Sequence, residues 1–291
     1  MFFVGVAFAL LIGISLGLLG GGGSILTVPI LLYVFHLPTR AAIATSLLVV
    51  GTTSAAALIP HARAGRVRWK TGALFGANSM VGAYLAGRVA SHIPAAVLLL
   101  LFGVMMLVTA VAMMRGRKDA ASAPEATTDD DLPVLKIVLE GLVVGAVTGL
   151  VGAGGGFLVV PALVLLGRLP MGAAVGTSLL VIAMKSFAGF AGYLSSVAIP
   201  WDVAVAVVAA AVVGSVIGGR LVSAIPAERL RRGFAWFVVV MAVFILGQEV
   251  PKLFGVPVTV ATHWPWLVAA MSAPPSIASM VSYARRHAHA V

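Results

Sequence analysis

Cysteine is absent from the 291 residues, which removes disulfides, thiol nucleophiles and thiolate metal sites together. Charge is almost as scarce: charged residues make up 10% of the chain and hydrophobic ones 61%. Mean hydropathy is +1.11. A soluble domain of this length needs far more polar surface, so the composition describes a polytopic membrane protein. Acids are the rarest charges, nine Asp and Glu against nineteen Lys and Arg. Asp119, Glu125, Asp129, Asp130 and Asp131 share one short stretch, and only Glu140, Asp202, Glu228 and Glu249 lie elsewhere, each near the end of an apolar segment. Paired carboxylates or a Ser/His pair at one membrane depth are missing, which argues against an intramembrane enzyme. The six histidines show no ligand spacing within a helix, so neither a metal nor a cofactor is expected. The formal net charge of +10 does not point to nucleic acid, because Lys and Arg fall mostly in short loops and no basic patch alternates with exposed aromatics.

What the chain does have is glycine, concentrated in two matching places. Gly17-Leu-Leu-Gly20-Gly21-Gly22-Gly23-Ser24 leads to Pro29, and Gly149-Leu-Val-Gly152-Ala-Gly154-Gly155-Gly156 leads to Pro161. Each glycine in a helix costs about 1 kcal/mol relative to alanine, so each run predicts a break between two apolar segments. Irregular backbone at membrane depth persists only where protein buries it or it lines a cavity. Two such breaks in corresponding halves point to the site of a secondary transporter. The plainer alternative is close helix packing through small residues. A dinucleotide fingerprint is rejected, because a membrane helix and not a strand precedes the glycines.

Adding 132 to a first-half number gives its second-half partner: Thr45-Ser46-Leu-Leu-Val pairs with Thr177-Ser178-Leu-Leu-Val, Trp69 with Trp201, and Gly87-Arg88 with Gly219-Arg220. The expected organisation is a first transmembrane repeat over 1–115, a polar cytoplasmic linker over 116–133 and a second repeat over 134–250. A tail, 251–291, either adds a weak span over 257–283 or lies at the interface. Met1–Leu19 lacks a basic n-region and reads as a retained membrane helix. The loop His61–Lys70 carries four basic residues where its counterpart, Tyr193–Asp202, carries none; around Glu228 the bias is reversed. Lys and Arg prefer the cytoplasmic side. The expected fold class is therefore an all-α polytopic membrane protein of two inverted-topology repeats, with broken or short helices at the glycine motifs and the N-terminus outside.

Broken helices expose backbone N–H groups at the start of the following half-helix, where the dipole favours anions. The candidate substrate contacts are thus Gly21, Gly22, Gly23 and Ser24 with Gly154, Gly155 and Gly156. Thr45, Ser46, Thr177 and Ser178 follow each motif, and either line the site or bond back to the helix. Lys185 lies among apolar residues opposite Thr53 in the repeat. An intramembrane lysine is a functional-site hypothesis by default, against the alternative of snorkelling. Asn78 is a further polar contact in mid-helix. Glu140 is the candidate carboxylate for coupling to a proton gradient, or else an interfacial residue beside Lys136.

With these paired glycine motifs, the Thr-Ser-Leu-Leu after each and this length, residues 5–250 resemble the TauE/SafE sulfite exporter family. The resemblance implies a carrier of small sulfur-containing or carboxylate anions, among them sulfite and organosulfonates such as sulfoacetate. It places the family motif on Gly20 to Ser24 with Pro29 and on Gly152 to Gly156 with Pro161. The expected function is a secondary transporter of such anions by alternating access, in the inner membrane of a bacterium. Its partners are the substrate anion and the bilayer. An anion channel, or a membrane subunit acting with a soluble partner, would be the alternatives.

Overall fold

The computed structural model describes residues 7–14, 24–114, 134–152, 154–165, 169–221 and 227–253. Gly21, Gly22 and Gly23, the linker 116–133 and most of the tail from 254 onward lie outside the described residues. Among the described residues the fold is all-α, without strands. The first half comprises α1 (residues 7–14), α2 (Thr27–Tyr33), α3 (Thr39–Arg63), α4 (Trp69–Val89) and α5 (Ala95–Met114). The second comprises α6 (Val134–Val151), α7 (Gly156–Leu165), α8 (Met171–Leu194), α9 (Trp201–Leu221) and α10 (Ala227–Leu253).

Among the described residues, three helices are long and apolar enough to cross a membrane unaided: Thr39–Arg63, Gly172–Leu194 and Trp201–Gly218. The second helix of each half is much shorter, seven residues in α2 and ten in α7. At 1.5 Å per residue, these reach roughly 10 and 15 Å, against a hydrocarbon core of roughly 30 Å. They are half-spans. Proline fixes where the next helix begins, because its preset φ suits a helix start and it needs no N–H bond there. Pro38 and Pro170 cap α3 and α8 with near-identical geometry, φ −55° ψ 144° and φ −58° ψ 146°. The chain enters both turns through the same bond, Leu37 N–H to the Leu31 carbonyl at 3.0 Å and Leu169 N–H to the Leu163 carbonyl at 3.1 Å.

Helices in lipid gain little from apolar burial and associate through close packing of small residues. The face of α6 formed by Gly141, Gly145 and Gly149 meets Ser79 and Ala83 of α4, and a Cβ on Gly145 would fall on the Ser79 backbone. The Ser79 hydroxyl donates to the Gly141 carbonyl at 2.9 Å. The same interface recurs between α1 and α9. A Cβ on Gly82 would strike Leu142 and Ala146; one on Gly214, its partner by the offset of 132, would strike Leu10 and Ile14, the partners of those two. Each half thus lends its first helix to the fourth helix of the other.

Between these pairs lie α3 and α8, the most enclosed of the long helices. Gly51 faces the Phe187 ring, while Gly189 faces Leu47. Contacts descend one helix as they ascend the other, the order of antiparallel neighbours. By the same test α4 runs parallel to α8, with Gly72 at Thr177 and Leu180, Gly76 at Met184 and Gly192 at Tyr84. The outward faces of α5, α6 and α9 expose Val104, Val108, Leu139, Val143, Val205 and Val213, the apolar exterior expected of a chain solvated by lipid. Trp69 and Trp201, at the starts of α4 and α9, are both more than half exposed, as aromatic interface anchors are.

Candidate functional site

The break between α6 and α7 is held open by backbone geometry that side chains resist. Gly152, Gly154 and Gly155 have φ of 73°, 61° and 64°, in the left-handed region where only glycine is unstrained. All three are buried, and each position also lacks room for a Cβ. At Gly152 it would lie 3.0 Å from the Ile43 backbone; at Gly154 it would meet Val50 and come within 3.1 Å of the Ser24 hydroxyl. The second-half loop is therefore cradled by first-half residues. Ser46 of α3 completes the cradle, its hydroxyl donating to the Gly152 carbonyl at 2.7 Å across 106 positions of chain.

At the far end of the loop stands Lys185. Its side chain is 1% exposed, so the snorkelling alternative does not describe it. The ammonium donates to the Thr148 hydroxyl at 2.8 Å, and a Cβ on Gly155 would lie 2.7 Å from Nζ. Thr148 gives its own proton to the Val144 carbonyl at 2.6 Å, which leaves its lone pairs to accept from lysine. Gly155 is the residue before α7, and its carbonyl accepts from Leu158 and Val159 at 3.0 Å. The N–H groups ahead of Leu158 have no acceptor within the helix. A charge on Lys185 therefore stands against a helix start that is itself electropositive. Among the described residues no acid pairs with it, and no group of acids or histidines is fit to hold a metal.

Of the residues expected from sequence, Ser24, Ser46, Gly154, Gly155 and Lys185 come together here, with Gly156 opening α7. Thr45 is fully buried, and its hydroxyl has no hydrogen-bond partner. It lies six residues beyond the start of α3, too deep to cap it. The others are engaged elsewhere. The Thr177 hydroxyl accepts from the Arg68 N–H at 2.9 Å at the loop before α4. Ser178 donates to the Val175 carbonyl at 2.8 Å, and Asn78 to the Leu74 carbonyl at 2.8 Å, both within their own helices. Glu140 is half-buried on a groove of about 240 Å³ lined with Leu139, Val143 and Val144; its Oε2 is buried without a partner. On α6 it stands two turns before Thr148.

Thr148 is the site residue that sequence reading missed. Its repeat partner is Leu16, so the search for matched positions passed over it. A lone hydroxyl four residues before Gly152 was the available signal. Ser54 and Ser186, matched by the same offset, are also fully or almost fully buried with unpartnered hydroxyls.

Comparison with known proteins places the chain among membrane transporters. A family model described as Sulfite exporter TauE/SafE matches residues 5–245. The chain is 35% identical over 246 residues to a "Probable membrane transporter protein" of Xylella fastidiosa (strain Temecula1), covering 82% of this chain and 92% of that one. It is 27% identical over 219 residues to "Probable membrane transporter protein YdhB" of Bacillus subtilis, covering 74% and 88%. Identity to "Probable membrane transporter protein YunE" of Bacillus subtilis is 30% over 251 residues, covering 77% and 88%. No solved structure matches.

Proposed function

The chain belongs to the sulfite exporter TauE/SafE family of membrane transporters, and from that premise we propose that it carries a small anion by alternating access. In this reading the anion sits at the α6–α7 break, between the Lys185 ammonium and the first N–H groups of α7, within reach of Ser24. The observation that carries the reading is the buried Lys185 amine beside Gly155 with, among the described residues, no acid to balance a charge on it. A charge on that buried amine costs several kcal/mol without a counter-charge, and an arriving anion supplies one. Sulfite, an organosulfonate such as sulfoacetate, or a related sulfur or carboxylate anion presents several acceptor oxygens to these donors.

Alternating access in this reading comes from inverted-topology repeats rocking about the site. Support comes from the equivalent helices α3 and α8 running antiparallel, and from the α4–α6 contacts reproduced by α9 with α1. The basic loop after α3 then faces the cytoplasm, with the N-terminus outside a bacterial inner membrane. The test is a thermal-shift and titration screen of purified protein against sulfite, thiosulfate, sulfoacetate, taurine and simple carboxylates. Saturable stabilisation by one anion class supports the reading. Stabilisation by none of them contradicts it.

A further inference from the structure

Glu140 is the carboxylate that sequence suggests for proton coupling, yet it stands eight residues from Thr148 on α6, roughly 12 Å along the helix and away from the ammonium. We propose instead that Lys185 is itself the proton site of the carrier: neutral while the site is empty, protonated when the anion is bound, so that one proton travels with each anion. This rests on the anion-carrier reading above and adds the coupling ion to it.

Three features of the geometry support it. First, Lys185 is enclosed, and its partner among the described residues is an uncharged hydroxyl. That one bond is made as well by a neutral amine as by an ammonium, because Thr148 has already committed its proton to Val144. Second, Nζ lies against Gly155 at the start of α7, where the helix dipole opposes a second positive charge. An anion entering between them reverses the sign of that field, favouring protonation of the amine just when the site fills. Third, among the described residues no other titratable group is placed to take over the task. On α3 the charged or titratable residues are Arg40, His61 and Arg63, all near its ends. On α4, Lys70 and Arg88 lie at its ends and Tyr84 packs at the level of Gly192; the α4 residue beside Met184 is Gly76. On α6 there are Lys136 and Glu140, both earlier than Thr148 by two turns or more, and α7 has none. On α8 itself Tyr193 is two turns away, with its hydroxyl donating to the Leu150 carbonyl at 3.0 Å.

The proton balance is simple. The amine takes one proton from the aqueous side to which the site is open as the anion binds there. It releases that proton on the opposite side when the anion leaves, so a monoanion crosses with no net charge. Lysine can do this and arginine cannot, because a guanidinium does not give up its proton in a protein.

The experiment mixes purified protein with thiosulfate or methanesulfonate, anions that do not titrate near neutral pH, in unbuffered solution. A pH electrode reads proton uptake while calorimetry reads binding. The wild type should take up about one proton per anion, and its apparent Kd should rise by up to about tenfold per pH unit on the alkaline side. Lys185→Arg should bind the anion with no proton uptake and a flat pH profile. Binding to the wild type without proton uptake overturns the proton assignment and leaves the carrier reading intact. Proton uptake that persists in Lys185→Arg also overturns it, assigning the proton elsewhere. If the Arg variant does not fold, the wild-type stoichiometry and pH slope decide alone. Binding of neither anion removes the carrier reading and the proton assignment together.

Discussion

The Ser46 hydroxyl of α3 donates to the Gly152 carbonyl at 2.7 Å, so a first-half helix holds the loop that breaks the second half's first hairpin. The carbonyl belongs to a buried glycine in the left-handed region. Ser46→Ala should lower unfolding stability by about 1–3 kcal/mol, the cost of leaving a buried acceptor unsatisfied. It should also weaken anion binding, because the loop that presents Gly154 and Gly155 loses its latch. Thermal unfolding in detergent with and without ligand checks both. An alanine variant indistinguishable from wild type would show that the loop holds its shape without α3.

Helix packing gives a second prediction. Gly145→Leu drives a side chain into the Ser79 backbone, so α4 and α6 must part and folded yield should collapse. Gly172 has nothing within 4 Å of an added Cβ, and Gly172→Ala should be neutral or stabilising by up to about 1 kcal/mol. Size-exclusion yield and melting temperature read the contrast. Equal behaviour of the two variants would count against the α4–α6 interface.

Gly155 separates site from scaffold. Gly155→Ala adds one carbon where φ is 64° and where Thr148 is a nearer neighbour than Lys185 Nζ. Transport and anion binding of the folded variant should fall at least tenfold, with a loss of stability from the left-handed φ and the crowding against Thr148. Full activity would mean that the substrate does not approach this turn.

Topology is open to a direct check in a chain that has no cysteine of its own. Ala64 and its repeat partner Ser196 are both exposed. Single cysteines at these positions should react from opposite sides of the membrane, Ala64→Cys from the cytoplasm. Labelling from one side would rule out the inversion.

Much of this was legible in the sequence, for physical reasons that can be named. The second glycine run had to break its helix, and Gly152, Gly154 and Gly155 do so with left-handed φ. Lys185 announced itself because a lone lysine among apolar residues has few tolerable fates. What sequence could not supply was the facing of individual hydroxyls. A helical Ser or Thr can always bond back to its own turn, as Ser178 does, or reach across, as its repeat partner Ser46 does. The choice depends on which backbone lies opposite. Thr148 was hidden by the repeat itself, since Leu16 stands in its place and a site built from matched positions omits unmatched ones. The exchange of first helices between halves was equally invisible, because glycine spacing marks a packing face without naming the partner.

The central claim is that Lys185, beside the start of α7, supplies the charge that holds the substrate anion. The measurement is titration of purified protein at fixed pH with the anion that stabilises it best, comparing wild type with Lys185→Met, which keeps length and loses charge. Loss of about 1.4 kcal/mol of pairing corresponds to a tenfold change in Kd, so the account predicts a Kd raised roughly tenfold or more, with proteoliposome flux falling in step. An unchanged Kd and unchanged flux in the folded Met variant would contradict it.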